Sequence, residues 1–172
     1  MENEIIEDVT LYMRERDENI EGENPFKWVV QNLSHIIGGK RVLTFGLPGA
    51  FTPTCSNSQL PGYEAMYEDF KAKGIDEIYC TSVNDAFTMY QWAQHQGIKN
   101  VKMLPDGNGD LAKALCMQVS KENLGFGYRS WRYAMVVNDM VIERMFEEEG
   151  KMYNCPHDPY EFSAPEYVLE NI

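Results

Sequence analysis

A cysteine stands where a helix should begin. In the stretch Pro48-Gly49-Ala50-Phe51-Thr52-Pro53-Thr54-Cys55, Pro48 and Gly49 end the apolar run Val42 to Leu47. Thr52 reads as the N-cap of the next helix, and Pro53 fits its first position, where a missing N–H costs nothing. Cys55 then falls in the first turn. Unpaired backbone N–H groups and the positive end of the helix dipole stabilise a thiolate there, and a thiolate is a nucleophile. The competing explanation is a buried cysteine acting as a small apolar side chain. Strand end, cap and proline at N1 together favour chemistry.

The elements that must position this sulfur come from a chain of 172 residues, which suggests one domain over residues 1–172, able to bury roughly 70% of its unfolded surface. Hydrophobic residues make up 44% and charged residues 24%, a composition that argues against disorder. With 15 basic and 27 acidic side chains the net charge is −12. Such a surface repels phosphate backbones and has nothing to seek anionic lipid, so neither nucleic acid nor membrane is expected as a partner. Met1 to Asp8 has no basic or apolar region of a secretory signal, and no apolar run nears the roughly 20 residues of a membrane span. The cysteines at 55, 80, 116 and 155 form no Cys-x-x-Cys pair, and only His157, two residues from Cys155, stands close to one, so no structural metal is expected. A cytoplasmic location with free thiols follows.

In chain order, Asp8 to Arg14 reads as a strand with Val9, Leu11 and Met13 on one face. Residues 15 to 27 read as turns, Trp28 to Ile37 as strand plus a short helical turn, and Arg41 to Leu47 as a buried strand. Beyond Cys55 the helical pattern meets Pro61-Gly62, which should kink or break it, and resumes through Tyr63, Met66, Tyr67 and Phe70 until Gly74. Ile75 to Val83 is a second central strand, and Asn84 or Asp85 caps a helix closing near Gly97. Strand, helix, strand, helix makes a βαβ unit with a right-handed crossover. Val101 to Leu104 is a short strand, and Pro105 to Gly109 is a turn without the Lys-Ser/Thr ending of a phosphate loop. Asp110 caps a helix through Cys116, and Leu124 to Gly127 is a flexible connection. Trp131 to Val137 and Met140 to Phe146 pair about a tight turn at Asn138-Asp139. Residues 147 to 159 are irregular, and Ala164 to Ile172 forms a terminal helix. The expected fold is α/β, a mixed central sheet flanked by helices on both faces, with the cysteine at the carboxyl end of a strand.

Pro48-x-x-x-Thr52-x-x-Cys55 resembles the peroxidatic motif of the peroxiredoxins, in particular the short atypical branch that includes the plant type II enzymes. Leu60-Pro61-Gly62, the run Cys80 to Phe87 and Arg129-Ser130-Trp131-Arg132-Tyr133-Ala134 are similar to the same branch, so the resemblance covers about residues 8 to 147. It implies a thioredoxin-like fold, a peroxide substrate, and glutathione with glutaredoxin, or thioredoxin, as reductant. No metal or organic cofactor is implied. A homodimer through surfaces near the active site is implied, with Phe87 a candidate contact.

In that frame Thr52-Pro53-Thr54-Cys55 takes the place of a thioredoxin Cys-x-x-Cys, with threonine where the first sulfur would be. The thiolate is left to attack oxygen. Charge then leaves sulfur and builds on the departing oxygen, so donors must face both oxygens. The Thr52 hydroxyl, first-turn N–H groups and a guanidinium would supply them. The resemblance assigns the guanidinium to Arg132, at the start of a strand; Arg129 competes, and strand parity does not separate the two. Pro48 shields the sulfur from solvent and limits overoxidation.

The resemblance also nominates Cys80 to resolve the Cys55 sulfenic acid. Against this, Cys80 lies in a central strand and Cys55 in a helix, while a disulfide needs Cα atoms about 4.4 to 6.8 Å apart. Direct attack by glutathione is the other route, and both stay open. Cys116 and Cys155 fall in no segment tied to the motif. The alternative function is a thioredoxin-fold thiol-disulfide or glutathione-binding module without peroxidase activity.

Overall fold

The computed structural model describes residues 1–172. The chain starts with an antiparallel hairpin of β1 (Thr10–Arg16) and β2 (Phe26–Asn32), followed directly by α1 (Leu33–Ile37). The first strand thus begins two residues later than its alternation suggests. The central sheet has five strands: β3 (Arg41–Gly46), β4 (Glu77–Ser82), β5 (Lys102–Pro105), β8 (Tyr133–Asn138) and β9 (Val141–Glu147), in the order β5-β4-β3-β8-β9. β3, β4 and β5 run parallel; β8 and β9 are antiparallel to their neighbours.

Period-2 alternation sorts the sheet's side chains into two cores. Val42, Tyr79, Met135 and Val137 join α1 and Leu111 on one face, whereas Leu43, Phe45, Cys80, Ala134 and Val136 join Tyr63, Met89 and Trp92 on the other. Cys55 belongs to the second core and is fully buried. Between the parallel strands run α2 (Leu60–Ala65), α3 (Tyr67–Ala72) and α4 (Ala86–His95), and α5 (Asp110–Ala114) follows β5. Asp85 caps α4 by accepting from the Thr88 N–H at 2.9 Å. α6 (Pro165–Glu170) closes the chain. No helix is long and apolar enough to cross a membrane.

Several local expectations are corrected. Pro61-Gly62 does not break the helix. Residues Cys55–Gln59 form a π turn in which the Leu60 N–H bonds to the Cys55 carbonyl, and Pro61 falls just where that wider bonding returns to α geometry. A rung of the ladder is lost there in any case, so proline's missing N–H leaves nothing unpaired. Gly62 answers to packing instead, since a Cβ there would sit 2.9 Å from Cγ of Pro165 in α6. The interruption comes at Met66, which has φ −98° and ψ 12°.

α5 is capped by Asp106 rather than Asp110: its two carboxylate oxygens accept from the N–H groups of Leu111 and Ala112 at 3.0 and 2.9 Å. The turn between β8 and β9 is centred on Asp139 and Met140, both with positive φ, one residue later than expected. A second hairpin, β6 (Gln118–Ser120) with β7 (Tyr128–Ser130), flanks the connection through Leu124 to Gly127. Three-residue strands are too short to leave a readable alternation.

Candidate active site

β3 ends at Gly46, and the chain turns through Leu47 to Phe51 before the helix starts at Pro53. The Ser56 N–H bonds to the Thr52 carbonyl at 2.9 Å, which places Thr52 at the N-cap position as its sequence suggests. Its hydroxyl does not cap. It donates to the Gly49 carbonyl at 2.7 Å, fastening the loop to itself. Phe51 has φ 62° and is half-exposed, a conformation uncommon for a bulky residue and characteristic of constrained functional loops.

Arg132 reaches the sulfur. It lies just before β8 rather than within it, and only 1% of it is exposed. Nη1 donates to Cys55 Sγ at 3.4 Å and to Gln59 Oε1 at 2.5 Å, while Nη2 donates to Asp158 Oδ1 at 2.6 Å. Burial works against the guanidinium charge, but the Cys55 thiolate and the Asp158 carboxylate outweigh it and hold Arg132 above the ordinary arginine range. The π turn explains the role of Gln59. Because one π turn takes more than four residues, Cys55 and Gln59 lie on the same side of it and share one guanidinium nitrogen. Behind them a buried relay fixes the floor: the Ser163 hydroxyl donates to Glu148 Oε1 at 2.7 Å, and the Glu148 N–H donates to the Arg132 carbonyl at 3.2 Å. The Tyr160 ring centroid is 5.7 Å from the guanidinium carbon. Burial, aided by nearby carboxylates and opposed by Arg132, pushes the Tyr160 phenol up to about 12.

The competition between the two arginines resolves into separate tasks. Arg129 does not contact the sulfur. Its Nη1 donates to the Pro48 carbonyl at 3.2 Å and its Nε to the Phe126 carbonyl at 3.1 Å, so it braces the loop that carries Pro48. A Cβ at Gly49 would lie 2.9 Å from Arg129 Nη1 and would push the guanidinium aside.

A cleft of about 250 Å³ opens beside Arg132, walled by Pro48, Thr52, Pro53, Leu124, Phe126 and the segment Cys155 to Asp158. The sequence therefore groups Pro48, Thr52, Cys55 and Arg132, and the fold gathers the same four at one place. Gln59 and Asp158 were not legible; neither occupies a patterned position, and Asp158 sits in a segment with no regular structure.

Cys80 lies in the same core as Cys55, fully buried in β4, with register partners Phe45 and Met103. Burial, and next the charge of Cys55, push its thiol well above the usual range. Cys155 is 7% exposed and lines the cleft, whereas Cys116 is exposed elsewhere. All four cysteines are free.

Parallel β3-β4-β5 joined through helices, an antiparallel β8-β9 edge, and a buried cysteine held by arginine at the end of the first central strand define a thioredoxin-like protein built around one thiol. The Redoxin family matches residues 29–156. A peroxiredoxin of Rhizobium etli is 54% identical over 162 residues, covering 94% of this chain and 90% of that protein. A peroxiredoxin of Synechocystis is 51% identical over 169 residues, 98% and 89% of the two chains. Among solved structures, the Plasmodium falciparum antioxidant protein, a 1-Cys peroxiredoxin, superposes with a TM-score of 0.92 at 34% identity, covering 99% of this chain and 98% of that one. The chain belongs to the peroxiredoxins, in the short atypical branch with the type II enzymes, and is a thiol-dependent peroxidase. That finding displaces the alternative of a module without peroxidase activity.

Proposed function

We propose that Cys55 is the peroxidatic residue, reducing hydrogen peroxide and organic hydroperoxides by way of its sulfenic acid. The observation that carries this reading is the 3.4 Å contact between Arg132 Nη1 and the buried Cys55 Sγ, with Arg132 itself lining a cleft walled by Pro48 and Thr52. The thiolate attacks the nearer peroxide oxygen, the O–O bond breaks, and the departing oxygen leaves as alkoxide or hydroxide that takes a proton from water. Arg132 follows the charge as it moves from sulfur to oxygen, the kind of fixed donor that stabilises a transition state without reorganising. Thr52 acts as an acceptor rather than the donor its sequence suggests. Its proton is committed to Gly49, which leaves oxygen lone pairs to receive the O–H of the incoming peroxide. Pro48 excludes water from the sulfur.

One thiol of the reductant then attacks the sulfenic acid, releasing water and leaving a mixed disulfide. A second thiol frees Cys55. Glutathione with glutaredoxin, or thioredoxin, serves as this reductant, and direct attack is favoured over resolution by Cys80 because that thiol is held neutral in a strand paired on both sides. We read residues 1–172 as one cytoplasmic domain forming a homodimer through the half-exposed Phe87, whose ring meets Trp28 edge-on at 5.6 Å.

The test is a peroxide-consumption assay with each reductant, run beside a sulfenic-acid trap. Selective labelling of Cys55 after brief peroxide exposure, and loss of turnover in Cys55→Ser with an unchanged circular dichroism spectrum, are the expected results. Turnover surviving in Cys55→Ser would move the chemistry to another thiol.

A further inference from the structure

Lys121 is 3% exposed yet lines the active-site cleft. Its ammonium enters none of the ion pairs of the chain. Its only close partner is the Trp131 ring, whose centroid lies 5.4 Å from Nζ. An ammonium withdrawn from water is normally matched by a carboxylate, and a ring face offsets only part of that loss. The ammonium is not sealed, for it is absent from the buried polar atoms that lack both solvent and partner. The cleft is the one cavity of the fold that Lys121 lines.

The other charges of the cleft are already committed. Arg132 is divided among Cys55, Gln59 and Asp158, and Asp158 is held by Arg132. Lys121 is thus an unmatched cation in a protein of net charge −12, within a cavity walled also by Pro48, Thr52, Pro53, Leu124, Phe126, Arg132 and the segment Cys155 to Asp158. A narrow cleft in which one positive charge has no carboxylate partner focuses field on small anions. Its position is set by the backbone. The Lys121 N–H donates to the Gly127 carbonyl at 2.7 Å, and the Lys121 carbonyl accepts from Leu124 and Phe126 at 3.0 and 3.1 Å, so the β6-β7 connection is tied to the residue that carries the charge.

We infer that Lys121 is a specificity residue that binds the carboxylate of a small reactant entering the cleft. Two reactants could bring such a group: a low-molecular-weight thiol that reduces the sulfenic acid, or an organic hydroperoxide with an acid tail. The inference rests on the peroxidase reading of Cys55, and it makes the enzyme prefer the charged member of either class.

Stopped-flow rates on the full chain separate the cases. Reduction of the oxidised enzyme is timed with 3-mercaptopropionate and with 2-mercaptoethanol, and oxidation of the reduced enzyme with a fatty-acid hydroperoxide and with tert-butyl hydroperoxide. In one arm the charged-to-neutral rate ratio should fall about tenfold in Lys121→Met, the scale of a lost hydrogen bond to a charged group, and be largely restored in Lys121→Arg. The arm that changes identifies the reactant. Propionate added to the unmodified enzyme should slow the charged reactant of that arm more than the neutral one, a readout that needs no variant to fold. Ratios unmoved by Lys121→Met in both arms, or equal slowing by propionate, overturn the inference. No oxidation by any hydroperoxide would instead overturn the peroxidase reading itself.

Discussion

Arg132 Nη1 stands 3.4 Å from Cys55 Sγ although 77 residues separate the two along the chain. The same nitrogen also bonds Gln59, so the guanidinium ties sulfur and π turn together. Removing it should cost the thiolate its nearest positive charge. In Arg132→Met, alkylation of Cys55 by iodoacetamide at neutral pH should slow by about tenfold or more, with peroxide consumption falling in parallel. Arg129→Met, which loosens only the Pro48 loop, should slow alkylation far less. Equal rates in the two variants would remove Arg132 from the role.

Peroxide treatment without added thiol should yield no Cys55–Cys80 disulfide. Cys80 is registered against Phe45 and Met103, and freeing it would break pairing on both sides of β4. Peptide mapping by mass spectrometry should find sulfenic or sulfinic acid on Cys55. A Cys55–Cys80 crosslink in high yield would show that the strand or the first helical turn opens during turnover. A link to Cys155, which lines the cleft, would reveal a resolving thiol that its sequence position gives no reason to suspect.

Gly46 ends β3 opposite Tyr133, and a methyl group added there would overlap the Tyr133 ring. Both residues are within a sheet pinned by neighbours on each side, so neither can retreat. Gly46→Ala should cost about 3 kcal/mol of stability, at the upper end of overpacking effects, as measured by urea denaturation. A loss below about 0.5 kcal/mol would mean the ring swings aside.

Burial raises Asp106 from 3.8 to about 6, in spite of the N–H groups of Ala112 and Leu111 that it accepts. Between those two values the folded protein retains a proton that the unfolded chain has released. The resulting stability is fully present below about 3.8 and lost as pH rises through about 6. Asp106→Asn has no such proton. Its stability relative to the parent should therefore improve as pH rises from 4 to 7, on top of a constant loss of about 1 kcal/mol from the weakened cap. A stability difference independent of pH would show that the Asp106 carboxyl titrates alike in the folded and unfolded chain.

What the sequence determined by itself was whatever is written in neighbouring residues. A strand ended by Pro48-Gly49, a helix opened by Thr52-Pro53 and a cysteine in its first turn are local events, and apolar periodicity placed the central strands within a residue or two. Tertiary structure decided what local chemistry leaves degenerate. Arg129 and Arg132 carry the same group three positions apart, and only the path from β7 to β8 sends one to Pro48 and the other to Cys55. Asp106, not Asp110, caps α5 because the turn folds back on the helix it precedes. Pro61-Gly62 reads as a breaker, yet the π turn accommodates the proline and α6 packs against the glycine. Asp158 and Lys121 come from irregular segments, where no periodicity marks a side chain as facing inward. Partner choice depends on distances between residues far apart in the chain, and those distances exist only once the backbone has closed around them.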